Sequence, residues 1–265
     1  MQDIIVIKIG GNIIDDDNAL QSFLVTLSEL QQQRSQKIIL IHGGGKLATK
    51  MATAMGVEQQ MIDGRRITDA ETLKIVTMVY AGYINKNIVA QLQANGSTAI
   101  GFTGADGNLI QAHKRVHTSI DYGFVGDIDA VNTKGIQQLL TQFNILVVAP
   151  ITHDGAGQLL NTNADTVAQA IATALAAETY VQLVYSFEKD GVLLDVDNEE
   201  SVIKKINKKY YAELKSTETI FAGMLPKLDN AFSALDKGVK KVIIGNAKKL
   251  VQLISGEAGT SIEHE

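Results

Sequence analysis

Lys8-Ile9-Gly10-Gly11 closes an apolar run near the N-terminus, and His42-Gly43-Gly44-Gly45 closes a second one. Glycine lets backbone N–H groups come close to a phosphate, because no Cβ stands in the way. Lys8, just ahead of the first turn, adds a fixed positive charge. The two turns together read as a site for the phosphates of a nucleotide. Three further polar clusters could join them. Gly64-Arg65-Arg66-Ile67-Thr68 precedes a helix start, where an arginine can grip a carboxylate with both arms or simply face solvent. Asn161-Thr162-Asn163-Ala164-Asp165 sets two amides and a carboxylate at a loop-to-helix junction, and Asn163 also suits a plain N-cap. Lys227, in Gly223-Met224-Leu225-Pro226-Lys227, falls in the first turn of a helix, the end that disfavours a cation. It either points to solvent or meets an anion.

Short glycine patterns arise by chance, and two other readings compete. Gly43-x-Gly45-x-x-Ala48 satisfies the alanine form of the dinucleotide fingerprint, with Asp63 further on, and so admits a nicotinamide oxidoreductase. Lys8 has no place in that scheme, and no clear strand presents Asp63. The P-loop pattern is missing its earlier glycine and the Ser or Thr that should follow Gly45-Lys46.

The elements that must hold these groups alternate. Residues 4–9 and 37–42 read as buried strands. Leu20, Phe23, Leu24, Leu27 and Leu30 share one helical face between them, with Asn18 placed as the cap. Strand, helix, strand implies a parallel pair. A capping box of Thr68 and Glu71 opens a long amphipathic helix through Leu73, Val76, Tyr80, Ile84 and Ile88. Further strands are expected at 98–102, 145–150, 180–186 and 241–245, a hairpin within 121–131, and helices from Asn163 or Asp165 to about Ala177 and from Pro226. Continuous apolar strands indicate an α/β fold with a sheet covered on both faces.

The chain has 265 residues, 45% hydrophobic content and no cysteine, so disulfides and thiolate metal sites are excluded. A net charge of −5 argues against a general nucleic-acid binder. Residues 201–250 nevertheless carry 11 lysines against four acids, either a solvated face or a local preference for a polyanion. The apolar run at 4–9 is too short to span a membrane and has no secretory-leader pattern, so a cytoplasmic protein is expected.

Taken together, Lys8-Ile9-Gly10-Gly11, the 42–45 glycines, Gly64 to Thr68, Asn161 to Asp165 and Gly223 to Lys227 resemble the acetylglutamate kinases in order and spacing. The likeness extends over essentially the whole chain, to Gly259-Thr260-Ser261-Ile262. The first glycine motif is shared with the wider amino-acid kinase superfamily. The resemblance implies a three-layer α/β fold, an open, mostly parallel central sheet sandwiched by helices, with an acyl-amino-acid and dimerisation lobe at 1–177 and an ATP lobe at 178–265. It implies transfer of the γ-phosphoryl group of ATP to the side-chain carboxylate of N-acetyl-L-glutamate, in arginine biosynthesis. Lys8 and Lys227 would act on the phosphoryl group from its two ends, and Asp165 would hold both lysines. Backbone N–H groups of Gly10, Gly11, Gly44 and Gly45 would receive its oxygens. Gly44, Gly45, Arg66, Asn161 and Asn163 would hold the acceptor. Mg²⁺ would ride on the ATP phosphates through water, with no protein metal site. A first strand at residue 4 resembles the shorter members, which implies a homodimer insensitive to arginine.

The likeness breaks at Ser186-Phe187-Glu188-Lys189-Asp190-Gly191, where many relatives carry a Thr/Ser-Asp-Val-x-Gly run. New roles for Phe187 or Lys189 are expected there. Rival readings are the same chemistry on N-succinylglutamate, an amino-acid kinase acting on aspartate, and a nucleotide-binding sensor without catalysis. A sensor has no need of Lys8, Asp165 and Lys227 together.

Overall fold

The computed structural model describes residues 3–34, 36–62, 65–217, 219–220 and 224–264. Asp63, Gly64 and Gly223, singled out from the sequence, lie outside these described residues. Eight strands make the central sheet: β1 (Ile4–Ile9), β2 (Lys37–His42), β3 (Ala99–Thr103), β4 (Ile145–Ala149), β5 (Val181–Phe187), β6 (Lys205–Ile206), β7 (Lys241–Asn246) and β8 (Thr260–Ile262). Their spatial order is β6-β8-β7-β5-β1-β2-β4-β3. Every pair is parallel except β7 with β8.

The chain first fills one side of β1 with β2, β3 and β4, β4 slotting between β2 and β3, then crosses back to add β5, β6, β7 and β8 on the other side. The carboxyl end of β1 is therefore the point where the strand order reverses, the usual place for a ligand in an open α/β sheet. Lys8 and both glycine turns stand at that end. Ile5, Ile7 and Ile9 face one helical layer with α1 (Asp17–Arg34), while Ile4 and Val6 face the other. Side chains alternate along a strand, so Lys8 shares the second face. Helices α4 (Ala164–Ala176) and α5 (Leu225–Asp236) cover that face, packing Ile171, Leu175, Leu228 and Phe232 onto it. The result is the three-layer sandwich that the family resemblance implies, with the sheet covered on both faces as the apolar strands indicate.

Several local expectations shift by one element. The cap of α1 is Asp16, whose Oδ1 accepts from the N–H groups of Asn18 and Ala19 at 3.0 Å each; Asn18 is itself inside the helix. The capping box at Thr68 and Glu71 does not form. Asp69 caps instead, accepting from Thr72 N–H at 2.7 Å, and Thr68 is fully buried. The hairpin arms are Ile110–Lys114 and Gly126–Val131, so part of the 121–131 stretch belongs to the loop between them. They join Ile151–His153 and Leu159–Asn161 in a second, four-stranded sheet.

The long helix after Asp69 is continuous but not uniform. We label it α3: α-helical at Ala70–Thr77, π-helical at Met78–Ile84 and α-helical again at Asn85–Ala94. With α2 (Gly45–Ala54) it flanks the second glycine turn. A π segment adds a residue to the turn, turns the helix face, and is often found beside functional sites.

Candidate active site

Asp165 is the junction. Asn163 accepts at Oδ1 from the N–H groups of Asp165 (2.8 Å) and Thr166 (3.2 Å), and this cap starts α4 where Asp165 can lean over the sheet. Lys8 Nζ lies 2.9 Å from Asp165 Oδ1, as an ion pair rather than an aligned hydrogen bond. Lys227 Nζ, from the first turn of α5, lies 3.9 Å from Asp165 Oδ2. Tyr185 is the β5 neighbour of Lys8 in register, and its hydroxyl donates to the Asp165 carbonyl at 3.3 Å. Burial first, and the Asp165 charge second, hold that phenol well above its ordinary range, so it serves as a neutral donor. One carboxylate between two ammonium groups leaves the spot net positive. Lys8 and Asp165 are largely shielded from water, with side-chain exposures of 13% and 15%. Such a spot suits an anion that both lysines can reach.

The glycine turns supply different amounts. Gly10 donates its N–H to the Ser186 carbonyl at 3.2 Å, so the expectation that it faces a phosphate is not met: the sheet uses this donor. Gly11 opens the single helical turn Gly11–Ile14, and Gly45 opens α2, so neither N–H has an intrahelical acceptor. Gly44 precedes α2 at φ +147°, and a Cβ there would lie 2.3 Å from Ile84 Cδ1 and 3.1 Å from the Tyr80 ring. Only glycine fits, both for its backbone and for the approach of α3. The two turns are tied by Lys46 Nζ, which donates to Asn12 Oδ1 at 2.5 Å.

Beside the second turn, Arg66 Nη2 donates to Gly45 O and to Thr49 Oγ1, each at 2.9 Å, and Nη1 donates to Gln59 Oε1. Asn161 Nδ2 donates to Thr68 Oγ1 at 3.0 Å. Arg66 and Asn161 thus converge on one side of the site, linked through the Arg66–Thr68 segment. Asn163 spends its carbonyl oxygen on the helix cap. Tyr80, buried and adjacent to Arg66, has its hydroxyl proton retained by burial.

A net-positive spot, a guanidinium nearby and backbone N–H groups opening from two helix starts can hold one anion against another. That is the electrostatic problem of phosphoryl transfer to a carboxylate. The comparisons with known proteins decide the lineage. A model of the amino acid kinase family matches residues 3–246. The chain belongs to that family. A Cytophaga hutchinsonii acetylglutamate kinase is 56% identical over 256 residues, covering 96% of each chain. A Methanopyrus kandleri acetylglutamate kinase is 36% identical, covering 93% of this chain and 96% of its own. Among solved structures, an N-acetylglutamate synthase from Neisseria gonorrhoeae superposes with a TM-score of 0.84 at 24% identity. It covers 99% of this chain, which spans 59% of that one, and the likeness is one of fold. A Giardia lamblia carbamate kinase bound to AMP-PNP superposes at 0.70 with 14% identity, again a shared fold.

Within this amino acid kinase the segment that departs from the usual motif is occupied by its own ion pairs. Lys189 Nζ meets Glu199 at 2.9 Å, and Asp190 accepts from Asn246 Nδ2 at 2.8 Å and from Lys249 at 2.5 Å. Lys249 in particular keeps the Asp190 carboxyl below its ordinary range. Sequence reasoning gave Thr68 only as a helix cap and passed over Tyr185 and Asn85. Asn85 carried a readable signal, an amide on the same buried stripe as Ile88 and Leu92.

Proposed function

We propose that this chain is an acetylglutamate kinase: it moves the γ-phosphoryl group of ATP to the side-chain carboxylate of N-acetyl-L-glutamate, a step of arginine biosynthesis. The observation that carries the reading is Asp165 between Lys8 of β1 and Lys227 of α5. It is supported by identities of 36–56% to acetylglutamate kinases over nearly the full chain.

A side-chain carboxylate with an ordinary pKa of about 4.3 is ionised at neutral pH, so the reaction needs no general base. What it needs is alignment and charge stabilisation. Lys8 serves the side where the carboxylate attacks, and Lys227 the side where the nucleotide leaves. Asp165 keeps the two ammonium groups from repelling each other. The N–H groups of Gly11, Gly44 and Gly45 receive phosphoryl oxygens, and Arg66 and Asn161 hold the α-carboxylate and amide of the acceptor. Asn163 contributes through the helix cap. Among the described residues no group of three or more His, Asp or Glu side chains could hold a metal ion. Mg²⁺ would be carried by the ATP phosphates, whose charge it would neutralise. Residues 1–177 make the acceptor half and residues 178–265 the nucleotide half. The working form is a homodimer, to whose interface the exposed side chains of Met51, Met55, Met61, Met78 and Tyr83 are available.

Acyl phosphate trapped as the hydroxamate tests the reading, with ATP and Mg²⁺ and a panel of N-acetylglutamate, N-succinylglutamate, glutamate and aspartate. Preference for N-acetylglutamate is expected. Preference for the succinyl compound keeps the mechanism and changes the acceptor. No product from any acceptor, with ATP still bound, overturns the catalytic reading in favour of a sensor.

A further inference from the structure

His42 is fully buried at the end of β2, directly under the second glycine turn, and takes no part in the transfer described above. Its surroundings fix it atom by atom. Lys86 Nζ, which can only donate, meets Asn85 Oδ1 at 3.0 Å and Gly101 O at 2.8 Å. This sets the orientation of the Asn85 amide, so its Nδ2 is the atom that donates to Val147 O at 3.0 Å. The same Nδ2 lies 3.3 Å from His42 Nε2, which must then be the accepting nitrogen. The ring proton belongs on Nδ1, 2.8 Å from the Gly43 carbonyl oxygen, a group that can only accept. Gly101 leaves the room for this arrangement: a Cβ there would lie 2.0 Å from Asn85 Oδ1.

The Gly43 carbonyl and the Gly44 N–H belong to one planar trans peptide and point in opposite directions. A ring that grips the carbonyl from inside the protein therefore aims the N–H out of it. Gly43 N–H is held as well, donating to Ile9 O at 3.3 Å, so both ends of the residue are pinned. We propose that His42, in its Nδ1–H tautomer set by Asn85 and Lys86, is a positioning residue that aims the Gly44 N–H at the transferring phosphoryl group. The inference rests on the phosphoryl-transfer reading above. Burial drives the imidazole pKa down to about 4, so the ring keeps this accepting Nε2 at neutral pH.

Two measurements test it. Nitrogen-15 NMR of histidine-labelled chain, with the His42 signal assigned by its loss in His42→Asn, reads the tautomer without reference to activity. The protonated-Nδ1 pattern is expected, and a protonated-Nε2 pattern overturns the inference. Steady-state kinetics then compare His42→Leu and His42→Asn with the unaltered chain. Leucine should lower kcat about 10- to 100-fold, the scale of a misaimed catalytic group, with KM for ATP little changed. Asparagine, whose amide nitrogen can stand in for Nδ1, should recover most of it. An unaltered kcat per folded molecule in the leucine variant overturns the inference. If that variant does not fold, Lys86→Met at an exposed position takes its place, with a smaller loss of kcat expected and no loss contradicting the relay. Should the unaltered chain form no acyl phosphate, the proposed function fails while the ring tautomer is still decided by the spectrum.

Discussion

On the two sides of Asp165 the polar groups are held very differently. Toward β1 and β2 they are locked together: Lys8 at 2.9 Å from Asp165, Arg66 on Gly45 O at 2.9 Å, His42 on Gly43 O at 2.8 Å. Toward β5 and β7, Lys227 stands at 3.9 Å, beyond hydrogen-bond reach, and Lys189, Asp190 and Lys249 pair with surface partners. The contrast has a chemical sense. The acceptor is small and must be aligned closely, which favours a preformed cradle. The nucleotide brings its own dense charge and can draw a loosely held lysine onto itself.

The largest effects should fall on the two lysines and should differ in kind. Lys8→Ala is expected to lower kcat by about 10²–10³-fold, the usual cost of removing a donor to the reacting oxygens, with both KM values nearly unchanged. Lys227→Ala should lower kcat on the order of 10²-fold and also raise KM for ATP. Equal losses in kcat with no change in KM for ATP would erase the contrast.

A smaller effect comes from the buried imidazole of the locked side. His42 titrates at about 4 when folded, below the ordinary 6.5, because burial disfavours its charge. Between those values the unfolded chain binds the extra proton. Its contribution to stability is therefore complete above about pH 6.5 and is lost as pH falls toward 4, by up to about 3 kcal/mol. Denaturant unfolding at pH 7 and pH 4.5 should show this slope in the unaltered chain and a shallower one in His42→Asn.

Arg66→Lys is the mildest change. It keeps the charge but loses the planar fork, and should raise KM for the acceptor about 10-fold with little change for ATP, read by varying each substrate in turn. A change confined to KM for ATP would put Arg66 on the wrong side of the site.

The strands and the phosphate turns were legible in the sequence because uninterrupted apolar runs such as Ile4–Ile9 have few other solutions, and a glycine cluster at a strand end has a narrow meaning. Lys8, Asp165 and Lys227 are far apart in the chain and gained a joint role only through the family pattern of their spacing. What stayed hidden was decided by side-chain geometry between near equivalents. Asp16 and Asn18 are both good caps, as are Thr68 and Asp69, and at the second pair burial of Thr68 leaves the cap to Asp69. Gly10 looked like a phosphate donor because sequence does not show which N–H groups a sheet consumes. The π segment at Met78–Ile84 has an ordinary amphipathic pattern, yet it brings Tyr80 and Ile84 against Gly44.

The most direct test of the junction is a single-turnover experiment with ATP labelled at the γ-phosphate, mixed with N-acetylglutamate and quenched over milliseconds to seconds, in the unaltered chain and in Asp165→Asn. Asparagine preserves shape but no longer holds two ammonium groups together. The account predicts rapid transfer of label to the acceptor carboxylate in the unaltered chain, and transfer slowed by about 10²-fold or more in the variant, with both substrates still bound. Transfer at the same rate in both, with altered binding alone, would contradict it.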